Sequence, residues 1–367
     1  MTALPLPYLV NLAGLILGVV FGAMVQRSNF CTMGAISDMV LMNDANRLRS
    51  WVLAIAVAML GSQLLQLAGL IDLNSSIYAG TNLGWLGAAI GGLLFGFGMV
   101  QAGGCGSRTL VRLGAGNLKS LLVVLMIGIA GYATLRGLIG PARLWLEGWS
   151  VIDLKSRGFA TQTLPDLLGL GFGLDVRSLR WGLGLAIPAL LLLWVFRDAR
   201  FRRHPVLIAA GIVIGLVIVG GWAATGILGA DEFEPTPLVS MTFVAPIGYA
   251  LQYLMTFTGA TLDFGVSTVG GVILGAFLMA KADGSFRIES FANAQDVVSH
   301  LLGGVLMGIG GVTALGCTVG QGLTGVSTLA LGSFVALGGI VIGGILGVRY
   351  LEEGNLPDAI RALFARG

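Results

Sequence analysis

Three cysteines are the side chains best suited to chemistry here, and each stands beside a Gly-rich or polar break in an apolar stretch. Cys31 lies in Gln26-Arg27-Ser28-Asn29-Phe30-Cys31-Thr32-Met33-Gly34. Cys105 lies in Ala102-Gly103-Gly104-Cys105-Gly106-Ser107-Arg108. Cys317 lies in Gly316-Cys317-Thr318-Val319-Gly320-Gln321-Gly322. A thiol is a weak donor and weak acceptor built on a polarizable sulfur. It suits a soft ligand such as a sulfur-containing anion, held loosely enough to be passed on. Other chemistries use the same residues. Cys31 with Met33 would suit a soft metal such as Cu(I), and Cys105 or Cys317 could carry a persulfide. A lone cysteine is more often a small hydrophobe packed between helices. Three out of three at breaks, two of them at matched positions of a repeat, favour a site.

The neighbours of the cysteines extend that site. Half-helices starting after Cys105 and Cys317 would aim N–H groups and a positive dipole end at an anion. That avoids a buried Lys or Arg, which is costly in a membrane. Gly104, Gly106, Gly316 and Thr318 are therefore candidate binding positions beside the thiols. Arg27 and Arg108 are candidates for a mouth. Arg27 and Asp38 flank Cys31 and could equally be interfacial anchors. Arg108 and Arg112, one helical turn apart, could draw anions inward or only set topology. His300, near Asp296 at a span start, reads as structural.

Several functions are excluded. The formal charge of +3, from 21 basic and 18 acidic residues, leaves no basic stripe for nucleic acid. Two histidines are too few for a histidine-built metal site, and an odd cysteine count cannot pair completely within the chain. Gly320-x-Gly322-x-x-Gly325 fits the dinucleotide spacing, but it lacks the preceding strand and the acidic residue that pattern needs. There is no zinc or Walker motif and no carboxylate pair placed for acid–base work. No cofactor, no metal and no enzyme activity are expected.

The elements that must hold these residues are membrane helices. Of 367 residues, 56% are apolar, 59 are glycine and only 11% are charged, against about 25% charged in a soluble protein. So much apolar surface needs lipid, and the glycine excess fits close helix packing and broken helices. The N-terminal stretch lacks a basic n-region and reads as a retained span. Charge-free stretches predict spans over residues 1–26, 51–71, 73–107, 120–135, 181–196, 205–230 and 235–262. Residues 264–280 are short and Gly-rich and predict a half-helix. Residues 301–348 would make one helix of about 72 Å, so they must form two spans with an uncharged joint at 316–322. Such a joint is irregular backbone at membrane depth, which is tolerated only where it is buried in protein or lines a cavity. The expected fold is an all-α integral membrane protein of about eight or nine transmembrane helices plus re-entrant half-helices.

Residues 91–105 and 303–317 align without gaps at an offset of 212, with nine of fifteen positions identical. They include Ala102/Ala314, Gly104/Gly316 and Cys105/Cys317. The Arg-rich run at 197–203 marks a cytoplasmic loop. Arg108, Arg112, Lys119, Lys281, Arg287 and Arg349 fall on the same side. Residues 72–82 and Asp231-Glu232-Phe233-Glu234 fall outside. The Cys105 joint then faces in and the Cys317 joint out, an inverted internal repeat. A weaker echo pairs Asn29-Phe30-Cys31 with Asp263-Phe264-Gly265. The expected division is a first repeat half at 1–140, a connecting region with one span at 141–204, a second half at 205–348 and a surface tail at 349–367.

The set Gln26-Arg27-x-x-Phe30-Cys31, Gly103-Gly104-Cys105 and Gly316-Cys317-x-x-Gly320-x-Gly322 resembles the YeeE/YedE membrane proteins of bacterial sulfur metabolism. The stretch from Lys281-Ala282 through Gln295 to Gly303-Gly304-Val305-Leu306-Met307-Gly308 is similar to that family too. The resemblance spans nearly the whole chain except about residues 141–203. It implies multi-pass uptake of thiosulfate across the bacterial inner membrane, with the anion handed along Cys31, Cys105 and Cys317. It also implies a small cytoplasmic sulfur-carrier protein as partner. The chain departs from that pattern at Ser28-Asn29 and at Arg108, close to the second cysteine. Family members near selenium genes share the fold, so a selenium anion is an alternative cargo. A soft-metal transporter, a membrane sulfurtransferase and a membrane anchor for the carrier protein are the rival functions.

Overall fold

The structure is a computed structural model that describes residues 6–231, 236–291 and 293–365. Among the described residues, nine helical segments are long and apolar enough to cross a membrane. They are built on α1 (Leu6–Ser28), α3 (Asn46–Leu67), α4 (Trp85–Gln101), α6 (Leu118–Arg136), α9 (Val176–Phe196), α10 (Pro205–Ala223), α12 (Phe264–Ala282), α13 (Ala294–Thr313) and α14 (Leu331–Glu353). Between them lie short helices α2 (Thr32–Met42), α5 (Gly106–Gly114) and α11 (Val244–Met255). A fourth short helix occupies residues 318–327 and is wound as a π-helix over Gly320–Gly325. At 9 to 12 residues these pieces reach only about half way through a 30 Å core. Helices α7 (Gly140–Ser150), α8 (Leu164–Phe172) and α15 (Leu356–Ala365) lie between or after the spans. A two-residue strand pair, Asn82–Leu83 with Ile152–Asp153, is the small sheet of the fold.

Two expectations change. Residues 235–262 do not form a span. Residues 236–243 are extended or irregular, and α11 covers only Val244–Met255. Residues 236–250 are mostly buried or half-buried and 254–262 mostly exposed; hydropathy alone cannot tell such a charge-free stretch from a crossing. Residues 264–280 belong to a full span, α12, and its glycines serve packing instead of a break. Among the described residues, 6–136 and 205–353 each hold four spans and two short helices, in the same order. The series α1–α2–α3–α4–α5–α6 recurs as α10–α11–α12–α13–318–327–α14. Residues 232–234 of the outside signal lie outside the described residues.

Glycine sets the packing. A Cβ on Gly18 or Gly22 of α1 would stand 2.5 Å from the Thr268 carbonyl oxygen or 2.2 Å from that of Val272 on α12. Gly271 and Gly275 return the contact against the Leu15 and Val19 carbonyls at 2.3 and 2.0 Å. Small residues four apart let two backbones touch where lipid gives no hydrophobic drive. The same interlock joins α4 to α14, where Gly96 faces Ile340 and Gly343 faces Leu93. The α4–α13 crossing repeats itself under the 212 offset. A Cβ at Gly91 would meet Gly310 O and Ala314 N; one at Gly303 would meet Gly98 O and Ala102 N.

Candidate functional site

All four short helices begin inside the protein. Cys31 is the N-cap of α2 and Cys105 the N-cap of α5. Phe243 is the N-cap of α11, and Cys317 precedes the helix at 318–327. Phe243 stands 212 residues after Cys31. The structural counterpart of Cys31 is therefore Phe243, and not Gly265 as the weaker echo suggested. Spans α6, α9, α12 and α13 start at Asn117, Asp175, Asp263 and Asn293, whose side chains accept a bond from the first turn. Cys31, Cys105 and Phe243 make no such side-chain bond. A buried helix start without a cap leaves first-turn N–H groups for another acceptor.

The thiols sit at these starts. Cys31 is 8% exposed, Cys105 2% and Cys317 0%. The Cys31 and Cys105 side chains face each other. Cys105 Sγ also lies 3.4 Å from Ser107 Oγ. The Gly320 N–H donates to Cys317 Sγ at 3.4 Å. The Thr318 hydroxyl is buried and faces the Cys105 sulfur. Gly106 is buried, and a Cβ there would meet nothing within 4 Å. That leaves open space beside Cys105. Gly104 and Gly316 differ, because a Cβ on each would press at 3.3 Å on Arg108 Cγ and at 3.1 Å on Gln321.

A cavity of about 410 Å3 opens from Cys31 to one face of the protein, lined by Arg47, Arg108, Arg112 and Arg287 against one acid, Glu289. Arg108 donates to Asn29 Oδ1 at 2.6 Å and to the Val25 carbonyl at 3.2 Å. Arg112 donates to the Gly103 carbonyl at 2.9 Å. Arg47 pairs with Asp38 at 3.1 Å. The Arg-rich 197–203 run is on this face, tied to α3 by Arg49–Asp198 at 3.2 Å. On the opposite face lies a largely apolar cavity of about 470 Å3, with Thr242, Leu315 and Gly316 in its wall.

Thus Cys31, Cys105, Cys317, Gly106 and Thr318 come together, with Gly104 and Gly316 packed behind them. Arg108 lines the basic cavity. Arg27 is exposed at the end of α1 and is not among its lining residues. His300 bonds Asp296 and packs edge-on against Phe291. Arg47 and Phe243 were missed by sequence reasoning. Extending the 212 offset back to Cys31 would have found Phe243. Arg47 carries no motif.

The sequence profile of a family described as "Sulphur transport" matches residues 27–346. The chain belongs to that family. It is similar to the thiosulfate transporter TsuA of Spirochaeta thermophila, with 30% identity over 90% of this chain and 96% of the relative. TsuA of Escherichia coli shares 28% over 85% of this chain and 86% of the relative. A shorter match, 33% identity over 27% of the chain and 23% of the relative, joins it to the probable transporter YedE of Salmonella typhimurium. With nine apolar crossing segments among its described residues, this family member is a multi-pass membrane protein.

Proposed function

We propose that the chain carries thiosulfate, or a closely related sulfur anion, inward across the bacterial inner membrane by way of Cys317, Cys105 and Cys31. One observation carries the reading: three buried thiols stand at the starts of short helices, between an apolar cavity on one face and an arginine-lined cavity on the other. The relatives named as thiosulfate transporters support the cargo.

In this reading the three oxygens of the dianion take N–H groups and the Thr318 hydroxyl, while the terminal sulfur takes thiol contacts. Each contact is weak, which lets the anion leave as readily as it enters. The Arg108 guanidinium stands close to Cys31 and Cys105, at the basic end of the path. Helix starts add their positive potential to that of Arg108. The excess of arginine at the basic mouth then draws the anion onward to the cytoplasm. The two repeat halves, 1–140 and 205–348, each contribute two short helices to the waist. The basic face is also where a small sulfur-carrier protein would collect the cargo.

The test is uptake of sulfur-labelled thiosulfate against labelled sulfate into proteoliposomes holding the purified protein. Thiosulfate accumulation with sulfate excluded is expected. Equal flux of both anions, or of neither, overturns the reading. A covalent sulfur adduct on Cys105 or Cys317 that turns over with flux would replace it with a sulfurtransferase.

A further inference from the structure

We propose that Tyr78 and Thr242 form the outer recognition step of the path, their hydroxyls taking the oxygens of the entering anion while its terminal sulfur meets Cys317. The proposal rests on the cysteine path proposed above and adds to it two side chains that carry neither thiol nor charge.

Tyr78 belongs to the loop between α3 and α4, and that loop dips into the protein. Leu73, Ser76, Tyr78 and Ala79 are each at most 4% exposed. The backbone is tied on both sides of the tyrosine. Asp72 caps the Leu73–Ser75 turn, Ser76 Oγ donates to the Leu73 carbonyl at 2.7 Å, and the Gln162 N–H donates to the Ala79 carbonyl at 3.3 Å. The ring is held as well. It stands edge-on to Trp222 of α10, with centroids 6.4 Å apart. Trp222 Nε1 in turn donates to Ser327 Oγ at 3.2 Å, at the end of the helix that begins after Cys317. A phenol fixed by packing at both ends presents its hydroxyl at one place, as a recognition group must. Burying it that deeply also calls for a polar partner.

The hydroxyl meets the Cys317 helix at Gly320. A Cβ built on Gly320 would stand 2.5 Å from Thr242 Oγ1 and 3.5 Å from Tyr78 Oη. Both hydroxyls therefore crowd the residue whose N–H donates to Cys317 Sγ at 3.4 Å. The Tyr78 hydroxyl faces that of Thr242 and the Cys317 thiol. The N–H groups of Val319 and Phe243 face the same sulfur. Depth follows the same order. Thr242 is half-buried in the wall of the 470 Å3 outer cavity, Tyr78 is 4% exposed and Cys317 is 0% exposed. Polar groups thus run from the cavity wall to the thiol through Thr242 and Tyr78. A hydrogen bond between the two hydroxyls uses one of their protons and leaves the other to donate. Hydroxyl and N–H donors suit the oxygens of a sulfur oxyanion, and the thiol suits its bare sulfur. Each contact is neutral and modest, as a site passed in transit requires.

The experiment measures KM and Vmax for labelled thiosulfate in proteoliposomes, and the melting temperature of each purified variant with and without thiosulfate. Tyr78→Phe keeps the ring on Trp222 and removes only the hydroxyl. Its KM should rise about tenfold or more, the factor for one lost donor to a charged group, with Vmax little changed. Thiosulfate should raise the melting temperature of the native chain by mass action, and that rise should shrink in Tyr78→Phe and in Thr242→Val. Thr242→Ser keeps a hydroxyl and should recover most of the affinity lost in Thr242→Val. An unmoved KM with an undiminished thiosulfate-induced rise in Tyr78→Phe overturns the proposal. So does a fall in Vmax and in thiosulfate-free melting temperature with KM unmoved, because that is the mark of a purely structural pair. Failure of the path reads differently. If Cys317→Ala transports normally while Tyr78→Phe still raises KM, the thiol path falls and the hydroxyl step stands. A native chain that neither carries thiosulfate nor is stabilised by it overturns both.

Discussion

Gly106 gives the clearest separation of folding from transport. It is the first residue of α5, it is buried, and a Cβ built on it meets nothing within 4 Å. Its φ is not left-handed, so alanine fits the backbone. Replacing Gly with Ala at a compatible position stabilises by about 0.4–1 kcal/mol, chiefly by restricting the unfolded chain. Gly106→Ala should therefore keep or raise the melting temperature in detergent. The added methyl, however, fills space beside the Cys105 thiol. If the anion must pass there, each passage resembles overpacking by one methylene, about 1–3 kcal/mol. On the barrier that is a loss of about fivefold to 150-fold in rate. Gly106→Leu should stop uptake while the protein still folds. The assay is initial uptake of labelled thiosulfate at matched membrane levels, alongside thermal stability of the purified variants. Normal uptake by Gly106→Leu would show that the open space is not the path. Lost uptake with lost folding in Gly106→Ala would show that the glycine is structural.

Other perturbations follow the same logic. Thr318→Val keeps the shape and removes the hydroxyl that faces the Cys105 sulfur. It should change stability by no more than about 1–3 kcal/mol while lowering uptake; unchanged uptake and KM would mean that the hydroxyl touches no anion. Arg108→Gln removes a charge from the basic cavity and its bonds to Asn29 and Val25. KM for uptake should rise about tenfold, equivalent to about 1.4 kcal/mol, with weaker dependence on ionic strength; an unaltered salt dependence would count against steering. Gly275→Ala would put a Cβ 2.0 Å from the Val19 carbonyl oxygen. Backbone cannot yield there cheaply, so a loss of at least about 1–3 kcal/mol is expected in detergent melting, and a variant of native stability would contradict the α1–α12 interlock.

How far the sequence reveals this arrangement depends on what each signal measures. The 212 offset was legible because Cys105 and Cys317 share their glycines, which are fixed by the close α4–α13 crossing. The partner of Cys31 was not legible, because Phe243 keeps the position but not the chemistry. Hydropathy reports depth in a membrane, not crossing. It therefore reported residues 235–262 as a span when they hold an irregular stretch and α11. Glycine content misled in the other direction at α12, where Gly271 and Gly275 are contact points on α1 and not a break. Arg47 entered the basic cavity unannounced, since only the return of α2 to the membrane face brings it beside Asn29 and Cys31. The uncapped starts at Cys31 and Cys105 were foreshadowed by residue type, because cysteine is a poor substitute for Ser, Asp or Asn at an N-cap.

The central claim is that the three thiols together form the route. It is tested most directly by uptake of sulfur-labelled thiosulfate into cells without their own importers, comparing the native chain with Cys31→Ala, Cys105→Ala and Cys317→Ala at equal membrane levels. Uptake by the native chain that collapses in each single variant is the expected result. Uptake that survives the loss of Cys105 or Cys317 would contradict the route through the waist.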